Sequence, residues 1–272
     1  MRAVSLHRDV IVVTSALLSV NCVIVRGGAR EQRETSGAGA RPGETVVIDS
    51  PVLPDELAAC SALVDQAGFP GVSGLLATHG DWDHLLGRLA FPGLVLGCAE
   101  STAERLQAKP GSAQRDLRSF DEDLLIDRPL PLALGSVQAL PVPGRCEIGE
   151  SELELHQADG HTVDGMAIMI PWAAVLIAGD YLSPLELPTL GGGAQLGAYL
   201  ATLERLRALV ARADHVVPGH GPPLDRDRAT AVLEEDARYL NALGKHGSRA
   251  ELPPGRRGAA QRRAHRQNVA AL

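Results

Sequence analysis

The sequence has few aromatic residues and few cysteines, and these shortages exclude several classes of protein. Phe, Trp and Tyr together make up 3% of the 272 residues, so the core must be built mainly from Leu, Val, Ile and Ala. The four cysteines, Cys22, Cys60, Cys98 and Cys146, are far apart and form no C-x-x-C pair. This spacing does not indicate a disulfide framework and favours free thiols in a reducing compartment. The chain is long enough to bury a core without such bridges.

Long apolar runs are also missing. No stretch approaches the roughly 18 consecutive apolar residues that a membrane-spanning helix needs. Residues 10–20 follow Arg2 and Arg8 and have some features of a signal peptide, but polar residues interrupt the run and no A-x-A cleavage site follows. We interpret this segment as two β-strands, which predicts a cytoplasmic protein with no membrane partner.

The net charge of −7 argues against a general nucleic-acid-binding protein. Positive charge is concentrated in residues 244–272, where seven Lys and Arg residues accompany one acid, Glu251, for a net charge of +6. This segment either contacts nucleic acid or another acidic partner, or forms a solvated helix or an arm packed on the acidic remainder of the chain. We favour the second interpretation. The sequence thus predicts one main domain over residues 1–243 and a basic C-terminal segment, with a short helix, over residues 244–272.

Hydrophobic periodicity and turn residues predict an alternation of strands and helices, typical of a single α/β domain. The predicted strands are residues 10–14, 19–26, 45–48, 74–78, 94–97, 137–142, 153–157, 166–170, 174–178 and 215–217. The predicted helices are residues 54–67, 85–90, 99–108, 198–211 and 226–243. Residues 27–43, 110–135 and the glycines at 191–193 are predicted to be loops; the last lack the G-x-x-x-x-G-K-[ST] pattern of a phosphate-binding loop.

Residues of metal-binding type follow five of the predicted strands. They are His79, Asp81, Asp83 and His84 after one strand, His161, Asp180 and His220 after three later strands, and Asp49, the weakest candidate, after an earlier strand. Ligands at strand ends are held rigidly, and neighbouring glycines let the backbone approach an ion closely. The cluster over residues 78–84 therefore indicates a hydrolytic metal centre.

The order of these residues resembles that of the metallo-β-lactamase-fold hydrolases. Their hallmark is H-x-H-x-D-H at a strand end, followed by a distant His, an Asp and a His. The resemblance runs from about Val10 to about Leu243. It implies a four-layer αββα sandwich with the metals at one edge, and the metal motif is shared with thioesterases of the glyoxalase II type. Their glutathione-binding residues have no obvious counterpart here.

The resemblance also implies a ligand set for two divalent cations, with zinc favoured. The first cation would be held by His79, Asp81 and His161, and the second by Asp83, His84 and His220. Asp180 would bridge the two cations, together with a hydroxide that acts as the nucleophile and that Asp83 could orient. Two cations about 3.5–4 Å apart lower the pKa of a shared water and polarise a carbonyl or phosphoryl oxygen.

Asp81 departs from the family pattern, which usually has His at this position. An anion in place of a neutral imidazole lowers the net charge of the centre and should raise the pKa of bound water. It also makes the first position more oxygen-rich, which shifts its preference toward manganese or iron. Asp81 pointing away from the centre, with one position unfilled, is the alternative.

The leading functional prediction is a hydrolase that acts on an ester, thioester or lactone, a small-molecule substrate. A mononuclear iron dioxygenase of the persulfide dioxygenase type, using His79, His161 and Asp180, and a non-catalytic metal-binding module are the alternatives. An antibiotic-degrading β-lactamase and an RNA-processing nuclease are disfavoured. Tyr181 is a candidate oxyanion donor or a packing residue, and Trp82 is expected to wall the pocket. Residues 182–196 are a candidate lid, and the last helix is expected to fold back over the pocket.

Overall fold

A computed structural model describes residues 1–28, 43–190 and 193–272. Most of the predicted loop at 27–43, and two of the three glycines of the loop at 191–193, lie outside the described residues.

Two β-sheets rich in Val, Ile and Leu form the centre of the molecule. The first sheet contains, in spatial order, β1 (Arg2–His7), β2 (Val10–Thr14), β3 (Asn21–Gly27), β4 (Glu44–Ile48), β5 (Val72–Leu76), β6 (Leu96–Ala99) and β7 (Val137–Leu140). Its first four strands are antiparallel, and the pairs from β4 to β7 are parallel.

The second sheet has six strands in the order β13-β12-β11-β10-β9-β8. These strands are β8 (Gly144–Ile148), β9 (Ser151–Gln157), β10 (Met166–Ile170), β11 (Val175–Gly179), β12 (His215–Pro218) and β13 (Leu224–Asp225). Only the β11–β12 pair is parallel among these described strands.

Helices cover the outer face of each sheet. They are α1 (Pro54–Gln66), α2 (Gly87–Ala90), α3 (Glu100–Ala108), α4 (Ser112–Leu124), α5 (Leu196–Val210), α6 (Arg226–His246) and α7 (Ala259–Ala270). The first four share a buried core with the first sheet, whereas α5 and α6 share one with the second. A third core lies between the sheets. These layers form the four-layer αββα sandwich that the sequence predicted.

The two-residue period of the strands explains how one sheet serves two cores. In β3, Val23 and Val25 belong to the core between the sheets, while Cys22 and Ile24 belong to the core under the helices. Successive side chains of a strand point to opposite faces, so a strand buried on both sides becomes a continuous apolar run. Strands of this kind must be apolar on both of their faces, which explains the Val- and Ile-rich segments of the sequence.

The topology brings four loops together at one edge of the sandwich. The neighbouring strands β4 and β5 run parallel and end at Ile48 and Leu76, directly before Asp49 and the segment that contains His79. In the other sheet, the parallel pair β11 and β12 ends before Asp180 and His220. Because parallel strands end at the same edge, the polar residues that follow them are drawn into one volume.

One sequence prediction was wrong and three strands were missed. Residues 110–135 include helix α4 rather than only loop, and strands β1, β8 and β13 have no predicted counterpart. Helix α4 buries only a narrow face, with Ala113 and Leu117 inside, so mixed charges obscured its periodicity. Strands β1 and β8 lie at the ends of their sheets, where half-exposed backbone accepts charged residues such as Arg2 and Glu147. Within the described residues, no helix has the length and apolar character needed to span a bilayer.

Candidate metal centre

The seven predicted ligands lie together at this edge of the sandwich. The potential ligand atoms form three groups, and within each group all atoms lie within 4.8 Å of one another. The groups are His79–Asp81–His161, Asp83–His84–His220 and His79–His84–Asp180. The first two groups match the two ligand sets that the resemblance implied, and the third joins them through Asp180. The sequence pattern therefore identified residues that converge in space from four loops.

The segment from His79 to His84 owes its shape to a short turn. Asp81 is extended and is followed by one 3-10 turn over Trp82–His84, which places Asp83 and His84 on the inner side. Trp82 lies on the outer side, against Phe120 of α4, with ring centroids 4.6 Å apart. Trp82 thus anchors the segment to a neighbouring helix, and its expected place in the pocket wall stays a prediction.

Asp180 is the central carboxylate of the cluster. Its Oδ2 lies 3.3 Å from Nε2 of His161 and 3.3 Å from Nε2 of His220. Its Oδ1 lies 3.2 Å from Nε2 of His84. The close approach depends on Gly219, because a Cβ at that position would lie 1.9 Å from Asp180 Oδ1. Glycine is therefore required beside the central carboxylate.

All four histidines turn Nε2 toward the cluster because Nδ1 has a partner outside it. The four outer partners are Thr78 Oγ1 for His79 at 3.1 Å, Asp49 Oδ2 for His84 at 2.9 Å, Thr189 Oγ1 for His161 at 2.8 Å and the Leu18 carbonyl for His220 at 2.9 Å. An Nδ1–H that donates outward leaves Nε2 unprotonated, the form that binds a metal. The outer contacts therefore favour this tautomer for His84 and His220, whose partners can only accept, and are compatible with it for His79 and His161, whose partners are hydroxyls.

Asp49 organises two of these histidines without being a ligand. Its Oδ2 accepts from His84 Nδ1 and from Thr78 Oγ1, and its Oδ1 accepts from the Thr78 amide at 2.7 Å. Thr78 in turn contacts His79. Asp49 has a left-handed backbone with φ of 56° and is buried, a strained arrangement that Asp tolerates better than most residues. The weakest candidate from the sequence is thus a hydrogen-bonded support of two candidate ligands, His79 and His84.

Replacement of Asp49 with asparagine should weaken metal binding about ten- to a hundredfold, the usual effect of losing an outer partner of a ligand. Both carboxylate oxygens accept hydrogen bonds, whereas the amide has one acceptor and would turn an NH2 group toward a donor. Titration calorimetry with zinc on the metal-free protein measures the change. Asp65→Asn, at an exposed position on α1, is the control. Unaltered zinc affinity in Asp49→Asn would show that the support is dispensable.

The electrostatics of the cluster favour a cation inside it. Burial alone would lower the pKa of His220, but Asp180 and other nearby carboxylates raise it to about 10. Conversely, burial opposes ionisation of Asp180, yet His220, His84 and His79 hold its pKa well below the usual range. Carboxylates that remain charged and imidazoles that seek positive charge are typical of a site that binds a metal.

The donor set fits divalent cations of the transition series. Imidazole nitrogens and carboxylate oxygens are the ligands that zinc, iron and manganese share. The inward-facing Nε2 atoms of His79 and His84 and Oδ1 of Asp180 are buried and lack hydrogen-bond partners. Buried polar atoms normally have a partner, so three such atoms in one cluster indicate a metal ligand role.

Tyr181 has a different position from the other candidates. Its buried hydroxyl accepts from the His161 amide at 2.9 Å and contacts the Ala158 carbonyl at 3.2 Å. Burial raises its pKa above the ordinary value. The geometry therefore favours a role in holding the loop that carries His161 over direct contact with a substrate.

The C-terminal segment packs on the predicted lid. Arg256 is buried and donates to the Ser183 and Glu186 carbonyls and to Asp236. Asn268 of α7 accepts from the Leu190 amide at 2.8 Å and donates to the Pro188 carbonyl at 2.7 Å, two contacts that fasten the end of the lid. The arm-like interpretation of this basic segment therefore agrees with its contacts.

Sequence reasoning missed three residues around the ligands: Arg105, Asp164 and Thr189. Arg105 contacts Asp81, Asp164 contacts Arg105, and Thr189 holds His161. None stands in a motif, and only the proximity of Asp164 to His161 in the chain could have drawn attention to it.

Comparison with known proteins supports the same fold. No protein-family model matches the chain, and no curated protein matches it. A metallo-beta-lactamase from Pontibacter korlensis superposes with a TM-score of 0.59 at 19% identity, over 86% of this chain and 98% of that one. A metallo-beta-lactamase family protein from Thermus thermophilus gives 0.64 at 19% identity, over 98% of this chain and 94% of that one.

A double mutant of the sec-alkyl sulfatase PisA1 gives a TM-score of 0.68 at 16% identity. The match covers 99% of this chain and 49% of the sulfatase, so the chain spans about half the length of that protein. These similarities confirm the metallo-β-lactamase fold that the sequence predicted.

Proposed function

We propose that the protein is a metal-dependent hydrolase with a dinuclear centre that cleaves an ester, thioester or lactone. The observation that carries the proposal is the place of Asp180 between the two ligand groups. Its Oδ2 is 3.3 Å from His161 in one group and 3.3 Å from His220 in the other. A carboxylate shared in this way is suited to join two cations.

The ligand assignment follows from the same geometry. His79, Asp81 and His161 would hold the first cation, Asp83, His84 and His220 the second, and Asp180 both. Bound there, the cations would lower the pKa of a shared water and polarise the substrate carbonyl. Zinc is the favoured metal because each position would offer two imidazoles beside its carboxylates, and Asp81 keeps iron and manganese as alternatives.

Asp83 is the proposed residue that orients the attacking water. Its Oδ2 faces the cluster, 3.4 Å from Nε2 of His220 and 3.9 Å from Nε2 of His84. The Asp83 backbone is held by Ser50, whose hydroxyl donates to the Asp83 carbonyl at 3.2 Å. A fixed carboxylate beside the water can accept its proton as the carbonyl is attacked and return it to the leaving group.

The surroundings of the ligands support a small organic substrate. Val163 follows His161 by two residues, Leu185 lies beside the glycine that follows His220, and both side chains are about half exposed. These side chains offer apolar contacts to an acyl or alkyl group. Glu186 lies 3.9 Å from His220 and adds negative charge, which disfavours strongly anionic substrates. A thioester in the manner of the glyoxalase II branch is one member of the proposed class.

A mononuclear iron dioxygenase is the second candidate. It would use His79, His161 and Asp180, a two-histidine, one-carboxylate set of the type found in non-haem iron oxygenases, in which Asp180 Oδ2 lies 3.8 Å from Nε2 of His79 and 3.3 Å from Nε2 of His161. A non-catalytic metal-binding module is the remaining alternative. The free cysteines support a proposed cytoplasmic location for any of the three.

Elemental analysis combined with a substrate panel tests the proposal. The panel contains carboxylic esters, thioesters, lactones, a β-lactam and a secondary alkyl sulfate, the last two chosen from the names of the structural neighbours. We expect two metals per chain, loss of ester, thioester or lactone hydrolysis after chelation, and recovery with two equivalents of zinc, manganese or iron. One iron per chain with oxygen consumption on a persulfide would favour the dioxygenase. Full metal loading without turnover would favour the binding module.

A further inference from the structure

Arg105 on α3 bonds directly to the unusual ligand Asp81. Its Nη2 donates to Asp81 Oδ1 at 2.5 Å. The other oxygen, Oδ2, lies 3.5 Å from Nε2 of His79 and 3.5 Å from Nε2 of His161. One oxygen of the carboxylate is thus committed to the guanidinium, and the other faces the first ligand group.

A buried carboxylate fixes Arg105 in turn. Arg105 Nη1 donates to Asp164 Oδ1 at 2.7 Å, and the side chain of Asp164 has no exposed surface. Asp164 Oδ2 accepts from the Gly80 amide and from the Thr102 hydroxyl, both at 2.9 Å. The rigid fork of a guanidinium spans two carboxylates at a set distance, which a lysine cannot do. Asp164, Arg105 and Asp81 therefore form one connected unit that also holds the backbone of the metal-binding loop.

The positive charge of Arg105 lies beside Asp81, the one carboxylate that makes the cluster unusual. The cluster contains Asp81, Asp83 and Asp180, and within the described residues no other arginine or lysine forms an ion pair with any of the seven candidate ligands. A carboxylate that is already bonded to a guanidinium donates less electron density and carries less uncompensated charge. To a cation, the Asp81–Arg105 pair would resemble a neutral ligand more closely than a free carboxylate does.

From this arrangement we infer that Arg105 is a positioning residue for the first metal position, where it presents Asp81 as a one-oxygen ligand and offsets its charge. The inference rests on the metal centre of the proposed function, and it assigns positions 81 and 105 to one functional unit. Asp81 is then tolerated because Arg105 accompanies it.

The unit makes a specific prediction about a histidine at position 81. A metal-bound imidazole carries N–H on its other nitrogen, so it would direct a donor at the guanidinium donor of Arg105. The positive charge of Arg105 would also remain beside the cation without Asp81 to offset it. On its own, the Asp81→His variant should therefore bind zinc weakly at the first position. Zinc binding should recover when Arg105 is also replaced by glutamine, whose amide oxygen can accept a hydrogen bond from the imidazole.

A double-mutant cycle with zinc alone as the probe tests the inference. Wild type, Asp81→His, Arg105→Gln and the double variant are stripped of metal and titrated with zinc by calorimetry. We expect each single variant to bind zinc at the first position about ten- to a hundredfold more weakly, and the double variant to recover to within about tenfold of wild type. Arg145→Gln, which breaks an exposed ion pair with Glu152, is the control. If the two single effects simply add in the double variant, or Arg105→Gln binds zinc like wild type, the inference is wrong.

Two further variants separate positioning from folding. Arg105→Gln leaves the carboxylate of Asp164 buried without its cation. The double variant Arg105→Gln with Asp164→Asn removes that buried charge. It should show the same weakened zinc binding as Arg105→Gln, with a near-UV circular dichroism spectrum like that of wild type. Arg105→Lys keeps the charge but cannot span both carboxylates, and its zinc affinity should lie between wild type and Arg105→Gln. Wild-type affinity in the Asn-containing double variant would assign Arg105 to folding alone and overturn the inference.

The readout also separates this inference from the proposed function. Coupling in the zinc titrations with no turnover on any substrate would leave the inference standing and remove the hydrolase proposal. If the protein binds two metals and hydrolyses a substrate, but the effects of the two single variants on zinc affinity add, the hydrolase proposal stands and the inference is wrong.

Discussion

Replacement of Asp180 with asparagine is expected to lower kcat/KM at least about a hundredfold and to remove metal from both positions. Metal ions contribute several kcal/mol of transition-state stabilisation, and each 1.36 kcal/mol corresponds to a factor of ten in rate. Asp180 Oδ2 is equally distant from imidazoles of the two groups of candidate ligands, so in the proposed centre its charge would serve both cations. Asparagine has nearly the same size, but it lacks that charge and has only one acceptor oxygen.

The measurement combines elemental analysis with kinetics on the best substrate of the panel. Asp214→Asn, in an exposed pair with Arg226 at the end of β12 opposite to His220, should keep full metal and activity. Loss of activity with both metals retained would place Asp180 in the chemistry rather than in metal binding. Full metal content with activity within tenfold of wild type would contradict the bridging role and the dinuclear proposal with it.

The cluster of candidate ligands from His79 to His84 could be predicted because its signal is local, four such residues within six positions. The grouping of His161, Asp180 and His220 with them followed from the resemblance to a family. In the structure the parallel pairs β4–β5 and β11–β12 end at the same edge, and His161 reaches it from the loop after the antiparallel strand β9. The four-layer fold followed from the resemblance and from the alternation of strands and helices.

The supports of the ligands could not be predicted in the same way. Arg105 lies on a helix, 24 positions from Asp81, and its sequence neighbours are those of an ordinary solvated helix face. Arg256 belongs to a basic tail whose charges suggest a surface, yet its side chain is 1% exposed. Both depend on tertiary contacts that no periodicity records. Asp49 was noticed only as a weak ligand candidate because its role depends on the neighbouring strand.

Helix α4 shows the opposite failure, in which local pattern misleads. Six of its thirteen residues are charged, and this mixed charge, with the prolines scattered over residues 110–135, indicated a loop. The helix forms because Leu117 and Ala113 pack into the core under the first sheet, and Phe120 meets Trp82 in the segment that carries the candidate ligands. The helix is therefore stabilised by this tertiary packing and not by its exposed, charged surface.

Replacement of Arg256 with methionine is expected to destabilise the folded protein at pH 8 by about 3–5 kcal/mol, the usual cost of removing one partner of a buried ion pair. Arg256 Nη1 lies 2.6 Å from Asp236 Oδ1, and both side chains are almost fully buried. The same guanidinium donates to the carbonyls of Ser183 and Glu186, so the lid beside His220 should also loosen. Urea unfolding measures the first effect, and hydrogen exchange of residues 183–190 measures the second.

The deficit of the Arg256→Met variant should grow as the pH rises above about 7. Burial raises the pKa of Asp236 to about 7, even though Arg256 opposes this shift. Since the folded pKa exceeds the unfolded value of about 3.9, the folded state holds the extra proton, and stability falls as the pH rises between the two values. Without Arg256 the pKa of Asp236 in the folded state is higher still, so the decline in stability continues above pH 7 in the variant after it has ended in wild type.

A second replacement, Asp236→Asn, removes the stranded charge and should recover much of the stability, while Arg263→Met at an exposed position of α7 should cost little. A deficit that is the same at pH 6 and pH 8, and that Asp236→Asn does not relieve, would show that Arg256 acts through packing and its carbonyl contacts instead of its charge.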